Sequence, residues 1–110
     1  MLAEPTGLQI EVSPSAGGAV LCLSGEIDAD SADSLVAMVK PLAQQGRRKL
    51  VLDCADVTFC DSFGLRAMTV LWDQVQPDGS VTIARPSAML SRILEITGLA
   101  GRFGVAEGAN

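Results

Sequence analysis

The fold is decided by a stretch near the middle of the chain, DCADVTFCDSFGL, which runs from Asp53 to Leu65. It carries the chain from a strand through a short loop into a helix. Lys49 to Asp53 predicts a central strand, and the helix is expected to begin at Asp61 or Ser62. The turn Pro77 to Gly79 ends this helix, whose apolar stripe consists of Leu65, Met68, Trp72 and Val75.

A β-hairpin is predicted near the start of the chain. Leu8 to Val12 alternates apolar and polar residues, which indicates a half-buried strand. Ser13 to Gly18 has the composition of a turn, and Ala19 to Leu23 is a short apolar run that predicts a second, more buried strand. The short connection between the two strands favours a hairpin.

A first helix is predicted between this hairpin and the central strand. Asp30 or Ser31 is expected to cap its start, and Gly46 is a suitable stop. Pro41 removes one backbone donor and is expected to kink or shorten the helix. The predicted apolar stripe consists of Leu35, Met38, Val39 and Leu42.

The C-terminal part continues the alternation of strands and helices. Ser80 to Ala84 predicts a third core strand, and Pro86 is expected to open a third helix. Gly98 suits the left-handed position after the last turn, and a short strand is expected around Phe103 to Val105. The predicted apolar face of the third helix consists of Met89, Leu90, Ile93 and Ile96.

The element order is therefore β-β-α-β-α-β-α, with room for one more strand. This order predicts an α/β fold in which a mixed sheet is flanked by helices. The N-terminal hairpin is antiparallel and the remaining strands are largely parallel. We expect a single domain over residues 1–110, with its core at about residues 8–105.

Composition narrows the range of partners and locations. The chain has 110 residues, a net charge of -5 and no histidine, so nucleic acid is not an expected partner. No apolar run approaches the roughly 20 residues that span a bilayer, and Met1 to Ile10 lacks the features of a signal peptide. Cys22, Cys54 and Cys60 form no CxxC pair, and the first two lie in apolar runs, which favours buried thiols and a reducing cytoplasm. A monomer is expected.

The absence of histidine excludes several kinds of catalysis. No Ser-His or Cys-His pair and no Cys/His zinc site can form. The phosphate-binding motifs GxxxxGK[ST] and GxGxxG are also absent. We therefore expect no catalytic residues, no cofactor and no metal. The alternative is a metal-dependent hydrolase that uses Asp28, Asp53 and Asp61, although nothing in the sequence brings these carboxylates together.

Asp61 and Ser62 are expected at the mouth of the second helix, where several backbone donors lack partners. Taken alone, a serine in this place can simply be a helix cap. The wider sequence pattern favours a further role for Ser62.

Three motifs resemble those of the STAS domain family, and in particular of bacterial anti-sigma factor antagonists. DSFGL, from Asp61 to Leu65, resembles the family signature Asp-Ser-[Ser/Thr/Ala]-Gly-Leu. SGEID, from Ser24 to Asp28, is similar to the Gly-Glu-[Leu/Ile]-Asp motif that closes the second strand. ITGL, from Ile96 to Leu99, resembles the family's ending of the third long helix. The resemblance spans roughly Leu8 to Val105.

This resemblance implies a mixed sheet flanked by helices and a regulatory function. Antagonists of this kind bind a kinase-type anti-sigma factor and so free a sigma factor for transcription. The same partner phosphorylates the serine that follows the motif aspartate, which here is Ser62, and a metal-dependent serine phosphatase resets the switch. The residues implied to form the partner-binding surface are Asp28, Asp61, Ser62, Phe63, Gly64 and Arg66.

The sequence departs from the family pattern in three places. Phe63 replaces a small residue, and it could anchor the partner or pack inward. Arg66 also stands where a small residue is usual, and it could pair with a phosphate on Ser62 or with a carboxylate of the partner. After Val105 only Ala106 to Asn110 remain, too few for the closing helix common in the family, as expected for a fragment or a divergent member.

A different function is compatible with the same fold. Some STAS proteins are small non-enzymatic subunits of lipid-transport ABC complexes or of stress-sensing assemblies. In these proteins the motif loop docks on a partner without being phosphorylated. The five-residue signature does not separate the two functions, whereas the neighbouring genes would.

Overall fold

The computed structural model describes residues 7–106, which form five strands, three helices and one short 3₁₀ turn. The expectations for the segment before Gly7 and for the tail after Ala106 lie outside the described residues. The elements are β1 (Leu8–Ser15), β2 (Gly18–Ile27), α1 (Ala29–Gln44), β3 (Lys49–Cys60), α2 (Ser62–Val75), β4 (Ser80–Ala84), α3 (Ala88–Ile96), the 3₁₀ turn (Leu99–Gly101) and β5 (Gly104–Ala106).

The five strands form one sheet in the order β1-β2-β3-β4-β5. β1 and β2 are antiparallel, as the predicted hairpin requires, and every later pair is parallel. Helices connect the parallel strands, because two parallel neighbours cannot be joined by a tight turn. The predicted α/β class, the mixed sheet and the final strand are confirmed.

The helices cover one face of the sheet, where the buried side chains form a single core. Leu21, Leu52 and Ile83 lie opposite one another on neighbouring strands and are completely buried. The helices add Leu35, Val39, Met68, Leu71, Leu90 and Leu94 to this core. Within residues 7–106, no helix is long and apolar enough to cross a membrane.

The opposite face of the sheet remains open. Side chains alternate between the two faces of a strand, so Cys22 follows the buried Leu21 but points to the open face, opposite Asp53. Cys22 is exposed, whereas Cys54 and Cys60 are buried. The expectation that Cys22 is a core residue was therefore wrong, because its apolar neighbours hide the alternation.

Three strands are longer than the sequence predicted. β1 continues to Ser15, so only Ala16 and Gly17 form the hairpin turn, and Gly17 has the positive φ of +71° that such turns require. Pro14 is tolerated because β1 is an edge strand. β2 continues to Ile27, and β3 continues to Cys60 in place of the predicted loop.

Helix α1 begins earlier than predicted. Its N-cap is Asp28, and not Asp30 or Ser31, which lie inside the first turn. The start depends on where β2 ends. Pairing with β3 holds β2 in the sheet as far as Ile27, so Asp28 is the first residue free to accept bonds from the helix.

The body of α1 follows the predicted stripe with two differences. Leu35 and Val39 are fully buried, but Met38 is 41% exposed. The helix also runs past Pro41 to Gln44, so the predicted shortening does not occur. Gly46 has a positive φ and follows the helix as predicted.

Helix α3 is shorter than predicted, and it is rotated about its axis so that a different face packs against the core. It begins at Ala88 and is capped by Ser87, whose Oγ accepts a hydrogen bond of 3.1 Å from the Leu90 amide, so Pro86 lies outside it. Its buried side chains are Leu90 and Leu94, whereas the predicted core residues Met89 and Ile96 are 38% and 74% exposed. The predicted left-handed Gly98 is confirmed.

Candidate functional site

The candidate site lies where α1 and α2 begin, at the carboxyl edge of two neighbouring strands. Ile27 of β2 is paired with Cys60 of β3, and both strands end there. Because these strands are parallel, Asp28 and Asp61 leave the sheet side by side. Each of the two aspartates caps the helix that follows it. The sequence-predicted residues Asp28 and Asp61 are thus brought together.

At the start of α1, a reciprocal capping box fixes the side chains. Asp28 Oδ1 accepts hydrogen bonds from the amides of Asp30 (3.1 Å) and Ser31 (3.2 Å). Ser31 Oγ accepts one from the Asp28 amide (3.0 Å) and donates one to the Glu26 carbonyl (2.8 Å). Ser31 is completely buried, so its hydroxyl has a structural role.

At the start of α2, the cap consists of one aspartate. Asp61 Oδ1 accepts a hydrogen bond of 3.0 Å from the Gly64 amide, and the Asp61 amide donates one of 3.2 Å to the Ile27 carbonyl. The sequence allowed Ser62 to be the cap of this helix, but the capping residue is Asp61. The third residue of the helix is glycine, so no side chain closes a box here.

Gly64 is required by the close approach of α2 to the end of β2. A Cβ atom at this position would lie 2.4 Å from the Ile27 carbonyl oxygen and 2.8 Å from Cys60 Sγ. Both distances are too short for any side chain. Gly64 thus belongs to the site as the residue that lets α2 sit against the sheet, and not as a contact that a partner can reach.

Ser62 is the first residue of α2 and is exposed. Across the described part of the chain, its hydroxyl makes no hydrogen bond to another group. Its oxygen is therefore accessible to a second protein without any local unfolding.

Phe63 and Arg66 lie on the outside of α2 beside Ser62. Phe63 is 55% exposed, so the open question from the sequence is answered in favour of an outward side chain. Both residues line a groove of about 280 Å³ between α1 and α2. Ala32, Asp33 and Val36 form the wall that α1 contributes.

The α1 wall of this groove was missed by the sequence analysis. Val36 is half-buried at the flank of the buried stripe that contains Leu35 and Val39, and the exposed Asp33 lies one turn before it. Such a flank is where a helix meets its neighbour at the surface, and this was the only available signal. The sequence does not reveal that the neighbour is α2, because that follows from the order of strands in the sheet.

The alternative metal site is not formed within residues 7–106, where no three Asp, Glu or Cys side chains cluster. Asp53 lies seven strand positions before Cys60, roughly 20 Å from the other two aspartates. Arg85 donates to it through Nε (3.1 Å) and Nη2. This hydrogen-bonded guanidinium holds the pKa of the Asp53 carboxyl below its ordinary value of 3.8.

Cys60, which precedes the site, is a buried thiol. Burial, with a smaller contribution from the Asp61 charge, raises the pKa of its thiol to about 11. A protonated thiol is a poor nucleophile. Of Cys60 and Ser62, Cys60 is buried and only Ser62 is exposed.

Comparisons with known proteins agree with this architecture. The model of the STAS domain family matches residues 8–108. An anti-sigma-B factor antagonist of Bacillus subtilis is 32% identical over 93 residues, which cover 84% of this chain and 84% of that protein.

Solved structures share the fold. An anti-sigma factor antagonist from Mycobacterium paratuberculosis superposes with a TM-score of 0.84, covering 97% of this chain and 92% of that one at 23% identity. The Bacillus cell fate determinant SpoIIAA, solved in its phosphorylated form, has a TM-score of 0.70 at 20% identity, with 90% of each chain covered. With the family model matching almost the whole described chain, this protein belongs to the STAS domain family.

Proposed function

We propose that this protein is an anti-sigma factor antagonist that binds a kinase-type anti-sigma factor and is switched off by phosphorylation of Ser62. The surface for the partner consists of Asp28, Asp61, Ser62, Phe63 and Arg66, with Gly64 holding α2 in place. The protein acts in the cytoplasm as a monomer, and a serine phosphatase restores the active form. The Bacillus subtilis relative, an anti-sigma-B factor antagonist, supports this assignment.

The observation that carries the proposal is the contrast between an exposed hydroxyl and its fixed surroundings. The Ser62 hydroxyl makes no hydrogen bond in the described chain, while the neighbouring Asp61 side chain is held by the Gly64 amide. Phe63 offers an exposed aromatic side chain beside the hydroxyl, and aromatic residues are common anchors of protein interfaces. A partner docked on Phe63 would have Ser62 within its reach.

Phosphorylation should weaken binding without unfolding the domain. The γ-phosphoryl group of ATP moves to Ser62 Oγ, its bond to ADP breaks, and the hydroxyl proton is released. A phosphate carries about -1.5 to -2 charges, and a helix N-terminus accommodates such an anion well. A bound partner, however, would bury this charge beside Asp61, which costs desolvation and repulsion.

A phosphorylation assay tests the proposal. The purified protein is mixed with ATP and the anti-sigma kinase encoded nearest to its gene, and the intact mass is measured. We expect one added phosphate, about 80 Da, on the wild type and on the Ser34→Ala control, which removes an exposed serine of α1. The Ser62→Ala variant should remain unmodified.

A stable complex without any added mass would contradict the switch. It would instead favour a STAS docking subunit of a larger assembly. The absence of both a complex and a mass change would contradict the choice of partner class.

A further inference from the structure

We propose that Arg66 is an internal counter-ion for a phosphate on Ser62, and that this pairing withdraws its guanidinium from the groove between α1 and α2. The inference rests on the proposed phosphorylation of Ser62. It adds a residue that determines how the modified protein is stabilised and how its surface changes.

The helix geometry brings the two side chains together. Ser62 and Arg66 are four residues apart in α2, so they are neighbours on one face, with Cβ atoms about 6 Å apart. Side chains of a helix lean towards its N-terminus, and Arg66 therefore leans towards Ser62. Both residues are exposed, so no packed side chain has to move before they meet.

The charges around a phosphate on Ser62 would favour a nearby cation. A phosphate there would lie next to the Asp61 carboxylate, which already accepts the hydrogen bond of the Gly64 amide. Arg66 is the only Lys or Arg in the whole of α2. Its guanidinium makes no salt bridge within residues 7–106, so it is free to pair.

Four of the other arginines contact partners elsewhere. Arg47 and Arg48 donate to backbone carbonyls, Arg85 is paired with Asp53, and Arg102 lies over the Trp72 ring. Arginine matches phosphate geometry through two parallel N–H donors. Arg66, four residues from Ser62 on the same helix, is therefore a suitable counter-ion in both position and chemistry.

Pairing would also change the groove. In the unmodified chain, Asp33 of α1 and Arg66 of α2 both line it, so its walls carry one charge of each sign. Once Arg66 turns to the phosphate, Asp33 is left without that opposite charge. Phosphorylation would thus alter the proposed partner surface in two places, at Ser62 and in the groove.

The experiment uses the full chain with phosphoserine installed at position 62 by genetic code expansion, so no kinase is needed. The pKa of the second phosphate ionisation is about 6 for a free phosphoserine, and it is measured by a ³¹P NMR titration. We expect this pKa to rise by about 0.5 units in Arg66→Gln relative to the otherwise unchanged protein, because an exposed ion pair is lost. Arg92→Gln, which removes an exposed arginine of α3, should leave the pKa unchanged.

A second readout follows Arg66 itself. Its Nε–H resonance should shift between the unmodified and phosphorylated proteins, while that of Arg92 stays in place. An equal phosphate pKa in the Arg66→Gln and Arg92→Gln proteins would overturn the inference. Because the phosphoserine is incorporated during translation, that result would not bear on whether a kinase recognises Ser62, and the two proposals can fail separately.

Discussion

The two helices that begin side by side at the carboxyl edge of the sheet both start with aspartate and serine, yet their serines are in opposite states. At α1, Ser31 is completely buried and its hydroxyl is bonded to the Asp28 amide and the Glu26 carbonyl. At α2, Ser62 is exposed and its hydroxyl is free of internal bonds in the described chain. One serine is part of the packed fold, and the other is exposed to solvent.

The third helical position explains the difference. Ser31 occupies this position in α1, where its side chain can reach back to the cap. Gly64 occupies it in α2, where the Ile27 carbonyl and Cys60 leave no space for a Cβ. A capping box therefore cannot form in α2. Its serine stands instead at the first position, from which the side chain points into solvent.

The largest effect is expected when the α1 arrangement is copied into α2. Gly64→Ser would supply a box-forming side chain, but its Cβ would lie 2.4 Å from the Ile27 carbonyl oxygen. We expect the free energy of unfolding to fall by about 3 kcal/mol, because α2 must move away from the sheet. Urea denaturation followed by circular dichroism measures this change.

The matched control is Gly101→Ser. No heavy atom lies within 4 Å of a Cβ placed at Gly101, and its φ is not positive, so the change should stay within about 0.5 kcal/mol. A Gly64→Ser variant as stable as this control would show that α2 tolerates a box, and the explanation from the third position would be wrong.

A slightly smaller effect is expected on binding when Ser62 is given a charge. Ser62→Asp should weaken the complex with the anti-sigma factor about a hundredfold, or about 2.7 kcal/mol, because a second carboxylate beside Asp61 is buried by the partner. The circular dichroism spectrum should not change, since an acidic residue in the first turn suits the helix dipole. Isothermal calorimetry and thermal unfolding of the same samples measure the two quantities.

Two results would contradict this account of Ser62. Unfolding of the Ser62→Asp variant would make the switch conformational. Undiminished binding would mean that the partner does not cover this residue.

Removing each serine hydroxyl in turn tests the comparison most directly. Ser31→Ala should lower the free energy of unfolding by about 1 to 2 kcal/mol, because the Asp28 amide and the Glu26 carbonyl lose their buried partner. Ser62→Ala should change it by no more than about 0.5 kcal/mol, and it should still bind the anti-sigma factor. Equal destabilisation by the two variants would mean that Ser62 also maintains the fold.

The start of α2 could be predicted from the sequence, whereas the start of α1 could not. Asp61 and Ser62 are capping residues that directly precede the apolar stripe beginning at Leu65, so local chemistry was sufficient. Before α1, Asp28, Asp30 and Ser31 are all good caps. The choice among them is made by the pairing of β2 with β3, which is a non-local contact.

The site itself was only partly predictable, for a similar reason. The motif pointed to Ser62, but it did not indicate whether Phe63 faces inward, nor that Asp33 of α1 shares a groove with Arg66. These features depend on how closely α2 approaches the sheet, which Gly64 permits. The core prediction for α3 failed at Ile96 for the same reason. The amphipathic spacing was compatible with two different buried faces of the helix, and the buried face is the one that contains Leu94.

The smallest effect concerns a carboxylate that, like Ser31, is already committed to an internal partner. Hydrogen bonding to Arg85 lowers the pKa of folded Asp53 below 3.8, so the unfolded chain binds the proton more readily. The stabilisation that the ionised Asp53 contributes is therefore complete at pH values above the pKa of this carboxyl in the unfolded chain. It is lost as the pH falls through its pKa in the folded protein. We expect the stability difference between the wild type and Asp53→Asn to be constant above about pH 5 and to narrow below about pH 4. Urea midpoints measured from neutral to acidic pH report this difference.

Arg85→Gln leaves the carboxylate in place without its partner, and it should remove the same pH dependence. A difference that does not change with pH would mean that the Asp53–Arg85 pair, unlike the bonds of Ser31, does not contribute to the stability of the fold.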